Sequence, residues 1–158
     1  MSNYLVTGAA GFIAHRVCEL LLAEGHQVTG VDNLNDAYDP RLKQWRLDRL
    51  MSDPGFTFLR SDIGQSESLA PLDGQRFDAA LNLAARAGVR QSTENPWVYV
   101  DTNVTGTLNV LEFCRRNRIG KFVLSSTSSL YGANNPLPYA ETANTDQPLS
   151  PYAASKKG

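Results

Sequence analysis

Thr7-Gly8-Ala9-Ala10-Gly11-Phe12-Ile13-Ala14 is the stretch whose reading decides the fold. The apolar run Tyr4-Leu5-Val6 leads into it and an amphipathic run from Phe12 to Leu22 leads out, a strand, a tight turn and a helix. Gly8 lets the chain turn sharply as it leaves the strand, and Gly11 has no side chain to keep a diphosphate from the backbone. The N–H groups that open the next helix lack partners within it, and the helix dipole favours an anion there. Ala14 is small where the helix must pack close to the strand. By itself such a turn does not separate a diphosphate site from an ordinary bend.

A second element separates them. Gln27-Val28-Thr29-Gly30-Val31 reads as the next strand and ends at Asp32, 21 residues after Gly11. A carboxylate at that place accepts hydrogen bonds from the 2′-hydroxyl of an adenosine ribose. The same charge repels a 2′-phosphate, and the following Asn33-Leu34-Asn35 supplies no Arg to offset it. The pair of features therefore points to NAD rather than NADP as cofactor.

Composition excludes several classes. A chain of 158 residues makes one domain, 1–158, and its 42% hydrophobic and 20% charged content is that of a globular protein. A net charge of −1 leaves no electrostatic footprint for nucleic acid or an anionic membrane. No apolar run approaches spanning length, and no basic leader precedes the first strand, so the expected location is cytoplasmic. Cys18 and Cys114 lack metal-ligand spacing and read as reduced, buried residues; His15 and His26 read as surface residues, and no metal site is expected.

Along the chain, strands are expected at Asn3–Thr7, Gln27–Asp32, Gly55–Leu59, Phe77–Leu83 and Lys121–Leu124. Between them fall helices at Phe12–Glu24, Arg41–Met51, a short one at Glu67–Leu72, and a long one at Pro96–Asn117. The first helix offers Phe12, Ile13, Val17, Leu20 and Leu21 as its apolar face, the second Leu42, Trp45, Leu47 and Leu50. The long helix aligns Trp97, Val100, Val104, Leu108, Leu111 and Cys114. Ser150-Pro151 has the residues that start a helix, an N-cap followed by proline. Alternating strands and helices give an α/β class fold, a doubly wound parallel sheet of Rossmann type.

The last helix carries chemistry. Tyr152 and Lys156 are four apart and share one face. A phenol ordinarily titrates near 10, and a neighbouring ammonium favours its ionised form. Thr127 ends the fifth strand, where open sheets of this type bind ligands, and is placed to orient a substrate hydroxyl.

Taken in order, Thr7-Gly8-x-x-Gly11-x-x-Ala14, Asp62-Ile63, Leu83-Ala84-Ala85, Asn103-Val104-x-Gly106-Thr107, Ser125-Ser126-Thr127, Tyr131-Gly132 and Tyr152-x-x-x-Lys156 resemble the extended short-chain dehydrogenase/reductase family. The resemblance is to its NAD-dependent nucleotide-sugar epimerases and dehydratases. Asp32-Asn33-Leu34-Asn35-Asp36-Ala37-Tyr38-Asp39 and Ala85-Arg86-Ala87-Gly88-Val89-Arg90-Gln91-Ser92 look most like the UDP-glucuronate 4-epimerase branch, although Arg86 stands where similar sequences more often carry a neutral residue. What the resemblance implies is C4 epimerisation of a UDP-sugar through a 4-keto sugar. Tyr152 is then the base, Thr127 holds the hydroxyl, and Lys156 supports both Tyr152 and the nicotinamide ribose. The implied cofactor contacts are Gly8, Gly11, Phe12, Ile13, Asp32, Asn33, Asp62, Ile63, Leu83, Ala84, Ala85, Asn103, Tyr152 and Lys156. Arg90, Ser128 and Ser129 are the implied substrate contacts. The family also implies a chain that continues past the Tyr-x-x-x-Lys motif into further strands and a substrate domain, and a homodimer when full length. On that view the present chain is an N-terminal portion that is inactive alone. Dehydration, decarboxylation and non-catalytic NAD binding are the alternatives.

Overall fold

The computed structural model describes residues 1–158. Five strands form one parallel sheet: β1 (Asn3–Thr7), β2 (Gln27–Asp32), β3 (Phe56–Arg60), β4 (Ala79–Asn82) and β5 (Phe122–Leu124). Their spatial order is β3-β2-β1-β4-β5, so the chain runs outward one way from β1 and then returns to build the other way. The loops after β1 and β4 diverge at that reversal and leave a crevice at the carboxyl ends of the strands.

Successive residues of β1 point to opposite faces of the sheet, and each face has its own core. Leu5 packs with Val31, Ile63, Val110 and Phe113 on one side; Val6 packs with Val28, Cys18, Leu47, Leu50 and Phe56 on the other. Helices α1 (Phe12–Ala23) and α2 (Pro40–Met51) cover the second face. The first face is covered by a helical run in three segments: α4 (Trp97–Tyr99), a π-helical stretch (Val100–Thr105) and α5 (Gly106–Arg116). A short helix α3 (Val89–Glu94) precedes that run, and α6 (Pro151–Lys157) closes the chain.

Several helices bury a different face from the one their apolar residues suggest. In α1 the buried residues are Ala14, His15 and Cys18, whereas Phe12 and Leu20 are 80% and 48% exposed. Close helix–sheet packing places Ala14 and Cys18 innermost, and Phe12, Ile13 and Leu20 remain outside. His15 is interior too, its ring beside Trp45, and not a surface residue. In α2 the buried positions are Lys43, Leu47 and Leu50, while Leu42 and Trp45 are exposed. Along the long helical run Trp97, Val100, Leu108 and Leu111 form an exposed stripe, and Tyr99, Asn103, Val110, Phe113 and Cys114 face the core. The helix expected at 67–72 is only a three-residue 3-10 turn, Ala70–Leu72. Conversely, α3 occupies residues that the sequence presents as a loop.

The crevice is pinned from beneath by buried polar groups. Thr7 Oγ1 donates to Asn82 Oδ1 at 2.6 Å, joining β1 to β4, and Asn82 Nδ2 donates to Thr107 Oγ1 at 3.0 Å on α5. Thr7 Oγ1 also accepts from the Ala84 N–H at 3.1 Å, which sets the course of the loop after β4. Both Thr7 and Asn82 are fully buried. Thr7→Val keeps the shape but leaves the Asn82 carbonyl and the Ala84 N–H without partners. Urea denaturation is expected to show a loss of about 1–3 kcal/mol.

Candidate functional site

The Gly-rich turn is built for close approach. Gly8 has φ of 75°, and a β-carbon there would lie 2.9 Å from the backbone of Ala84. The Gly8 and Ala9 N–H groups both donate to the Val31 carbonyl, at 2.7 and 3.1 Å, tying the turn to β2. At Gly11 an added β-carbon would meet the Gly8 carbonyl oxygen at 2.8 Å. Gly11 is the N-cap of α1 and no side chain caps that helix, so its first N–H groups are available to an anion. Phe12 and Ile13 occupy this first turn with exposed side chains and offer an anion only their backbone.

Asp32 ends β2 beside the turn. Its Oδ2 accepts from the Ala10 N–H at 3.1 Å and its Oδ1 from the Leu34 N–H at 2.8 Å. Those two bonds fix the carboxylate at the mouth of the crevice, 8% exposed. Asn33 Nδ2 donates to Asp62 Oδ2 at 3.0 Å, linking the ends of β2 and β3. One continuous wall includes Gly8, Gly11, Asp32, Asn33, Asp62 and Ile63, with Leu83, Ala84 and Ala85 opposite. Asn35, Tyr38, Lys43 and Thr102 also line it; Asn35 and Tyr38 belong to the epimerase-like stretch Asp32–Asp39 but are not among the contacts that the resemblance implies. Tyr38 donates to the Ala10 carbonyl at 3.3 Å and accepts from Arg46 Nη1 at 2.8 Å, closing the outer rim. For Lys43 a signal does exist: it takes the buried register i, i+4, i+7 with Leu47 and Leu50.

Asn103 lies behind the wall, not in it. It is 3% exposed, and its amide is spent internally: Oδ1 accepts from the Arg86 N–H at 2.8 Å, and Nδ2 donates to the Arg86 carbonyl at 3.0 Å and to Ser155 Oγ at 2.9 Å. The π-helical stretch carries this side chain, which braces the loop after β4 against α6. Extra width in a helical turn is a common device for aiming one side chain at a site.

Helix α6 starts at Pro151 with Ser150 as N-cap, whose Oγ accepts from the Ala153 N–H at 3.1 Å. It packs against α3, the π-helical stretch and the 3-10 turn Ser128–Tyr131. Tyr152 is half-buried, its ring edge-on to Tyr99 with centroids 6.1 Å apart. Lys156 is 8% exposed. Thr127 caps the 3-10 turn, its Oγ1 accepting from the Ser129 N–H at 3.2 Å. Tyr152 and Lys156 thus sit on a separate element beyond the Asp32 cleft and outside its wall. Ser128 is exposed and Ser129 half-buried at this same turn, while Arg90 is exposed on α3.

Burial holds the Lys156 ammonium below the usual lysine range. The unfolded chain therefore retains a proton that the folded chain releases first as pH rises. Folding stability from this group is lowest at neutral pH and climbs as pH rises through its folded value toward about 10.4, the unfolded one. Lys156→Met is expected to raise the melting temperature at pH 7 and to leave it unchanged near pH 11, read by differential scanning calorimetry.

A dinucleotide fits these residues. The cradle at Gly8 excludes a β-carbon, the first N–H groups of α1 have no side-chain cap, and a fixed carboxylate stands one strand away. Residues 4–157 match the NAD dependent epimerase/dehydratase family. The chain is 55% identical over 159 aligned positions to the UDP-glucuronate 4-epimerase of Thermodesulfobacterium geofontis, matching 100% of this chain and 49% of that protein. UDP-glucuronate 4-epimerase 1 of Arabidopsis thaliana is 44% identical over 157 residues, 98% of this chain and 36% of that one. Among solved structures, UDP-glucuronic acid 4-epimerase from Bacillus cereus in complex with UDP-glucuronic acid and NAD superposes with a TM-score of 0.88 and 35% identity. That match covers 98% of this chain and 49% of the other. The chain spans about half the length of such relatives, or less. With the family match running almost end to end and the turn, carboxylate and Tyr-x-x-x-Lys helix in place, the chain belongs to the NAD-dependent epimerase/dehydratase family.

Proposed function

We propose that this chain is the cofactor-binding and catalytic part of an NAD-dependent UDP-sugar 4-epimerase whose substrate is UDP-glucuronate. The observation that carries the reading is the pairing of two elements. A cleft with a fixed carboxylate lies at the switch point of the sheet, and a helix bearing Tyr152 and Lys156 is braced to its rim through Asn103 and Ser155. The likeness to UDP-glucuronate 4-epimerases supports the choice of substrate.

In this reading Gly8, Gly11 and the first N–H groups of α1 hold the diphosphate of NAD, and Asp32 accepts from the adenosine ribose. Asp62, Ile63, Leu83, Ala84 and Ala85 enclose the adenosine and the strand ends. NAD, when bound, supplies reversible hydride transfer at C4 of the sugar. Tyr152 takes the proton of the sugar 4-hydroxyl as that carbon is oxidised, and returns it to the oxygen when the opposite face is reduced. Lys156, one turn further along the same face of α6, donates to the nicotinamide ribose. Thr127 orients the hydroxyl, and Arg90, Ser128 and Ser129 approach the sugar and its carboxylate. The same reading carries a cytoplasmic location. No helix is long and apolar enough to cross a membrane.

Conversion of UDP-glucuronate to its C4 epimer, followed by proton NMR with NAD and the whole epimerase of which this chain is the cofactor-binding part, tests the assignment. Tyr152→Phe is expected to lower kcat by at least about 100-fold, the usual range for a lost acid–base group, with NAD affinity within about threefold of wild type. NAD binding by that whole protein without turnover of any UDP-sugar would instead favour a non-catalytic NAD-binding module.

The reading also includes a homodimer that buries the stripe Trp97, Val100, Leu108 and Leu111. Trp97 is 76% and Leu108 57% exposed, and both are large apolar side chains on one face. Sedimentation velocity of the full-length protein is expected to give a dimer for the wild type and a monomer for Leu108→Glu, with unchanged circular dichroism.

A further inference from the structure

Lys43 is an unexpected residue in a cleft wall. It lies on the buried side of α2, 5% exposed, with Leu47 and Leu50 on the same face. Burying an ammonium is costly unless acceptors surround it. Here one of its three N–H groups donates to Asn35 Oδ1 at 2.8 Å. Asp32 Oδ1 stands 4.0 Å away, an ion-pair distance too long for a hydrogen bond. The face of the Tyr38 ring covers the ammonium, its centroid 4.9 Å from Nζ. Two N–H groups therefore lack a short acceptor, and the side chain borders the cleft.

Asp32 is left in a complementary state. Each of its oxygens accepts one backbone N–H, from Ala10 and from Leu34, and retains a further lone pair. A carboxylate with acceptor capacity and an ammonium with spare donors thus stand 4.0 Å apart at the mouth of one crevice. A vicinal diol matches that arrangement, since each hydroxyl donates one hydrogen and accepts on its oxygen. We propose that Lys43 is a cofactor-binding residue that donates to an oxygen of the adenosine ribose diol while Asp32 accepts the diol's protons. The proposal rests on the NAD reading above and assigns to α2 a share of ribose recognition that the βαβ turn alone does not supply.

Isothermal titration calorimetry of wild type and Lys43→Met with NAD, and with its 2′-deoxy and 3′-deoxy adenosine-ribose analogues, tests it. Lys43→Met is expected to weaken NAD binding about 10- to 100-fold, the usual range for a lost charge-assisted hydrogen bond. With the analogue that lacks the contacted oxygen, wild type and variant are expected to agree within about threefold. Lys43→Arg keeps a charged donor and is expected to recover part of the NAD affinity. Equal affinity of Lys43→Met and wild type for NAD would overturn the assignment. So would an equal loss on NAD and on both analogues, because that pattern belongs to a lysine that only holds the Asn35 loop. Lys43→Gln, which preserves a donor to Asn35, repeats the comparison where Lys43→Met lowers the melting temperature without cofactor. Failure of the wild type itself to bind NAD would remove the cofactor reading, a result separate from loss of the Lys43 contact alone.

Discussion

The structure depends on the junction between β1 and β4. Two parallel strands from different halves of the chain lie side by side there, and their outgoing loops part in opposite directions. Thr7, Asn82 and Thr107 hold the junction through hydrogen bonds of 2.6 and 3.0 Å. Buried polar groups are tolerated only when partnered, and a partnered network admits one geometry where an apolar contact would admit several. The network thus sets the spacing of the crevice as well as its stability. Gly8 then approaches the Ala84 backbone so closely that no larger residue fits.

From that junction, two braces extend in opposite directions. Toward β2, the backbone of the turn bonds to Val31 while Ala10 and Leu34 secure Asp32. Toward α6, Asn103 secures both ends of Arg86 and reaches Ser155. The Asp32 side and the Tyr152 side are therefore parts of one frame, although the two residues lie 120 positions apart in the chain. The π-helical stretch makes the second brace by turning Asn103 inward within an otherwise regular helical run.

Much of the fold was readable because β-strands at the centre of a parallel sheet are short apolar runs bounded by turn residues, as in Tyr4-Leu5-Val6 before Gly8. Helix faces were less readable. The first helix offers Phe12, Ile13 and Leu20, yet Ala14, His15 and Cys18 are the buried residues, Ala14 and Cys18 where the helix lies closest to the sheet. Along the long helical run the regular stripe of Trp97, Val100, Leu108 and Leu111 is exposed. Periodicity reveals that a face is apolar; it does not reveal what covers that face.

The sequence by itself determined the alternation of strands and helices, the glycine turn, the position of Asp32 and the Tyr152/Lys156 spacing. Each of these follows from local conformational rules or from separations along the chain. Tertiary structure alone decided that Lys43 and Asn35 join Asp32 from across the α2 connection, and that Asn103 serves as a brace behind the cleft. Those roles arise from side chains meeting across elements: the register of Lys43 with Leu47 and Leu50 places it on a buried face, but not beside Asp32.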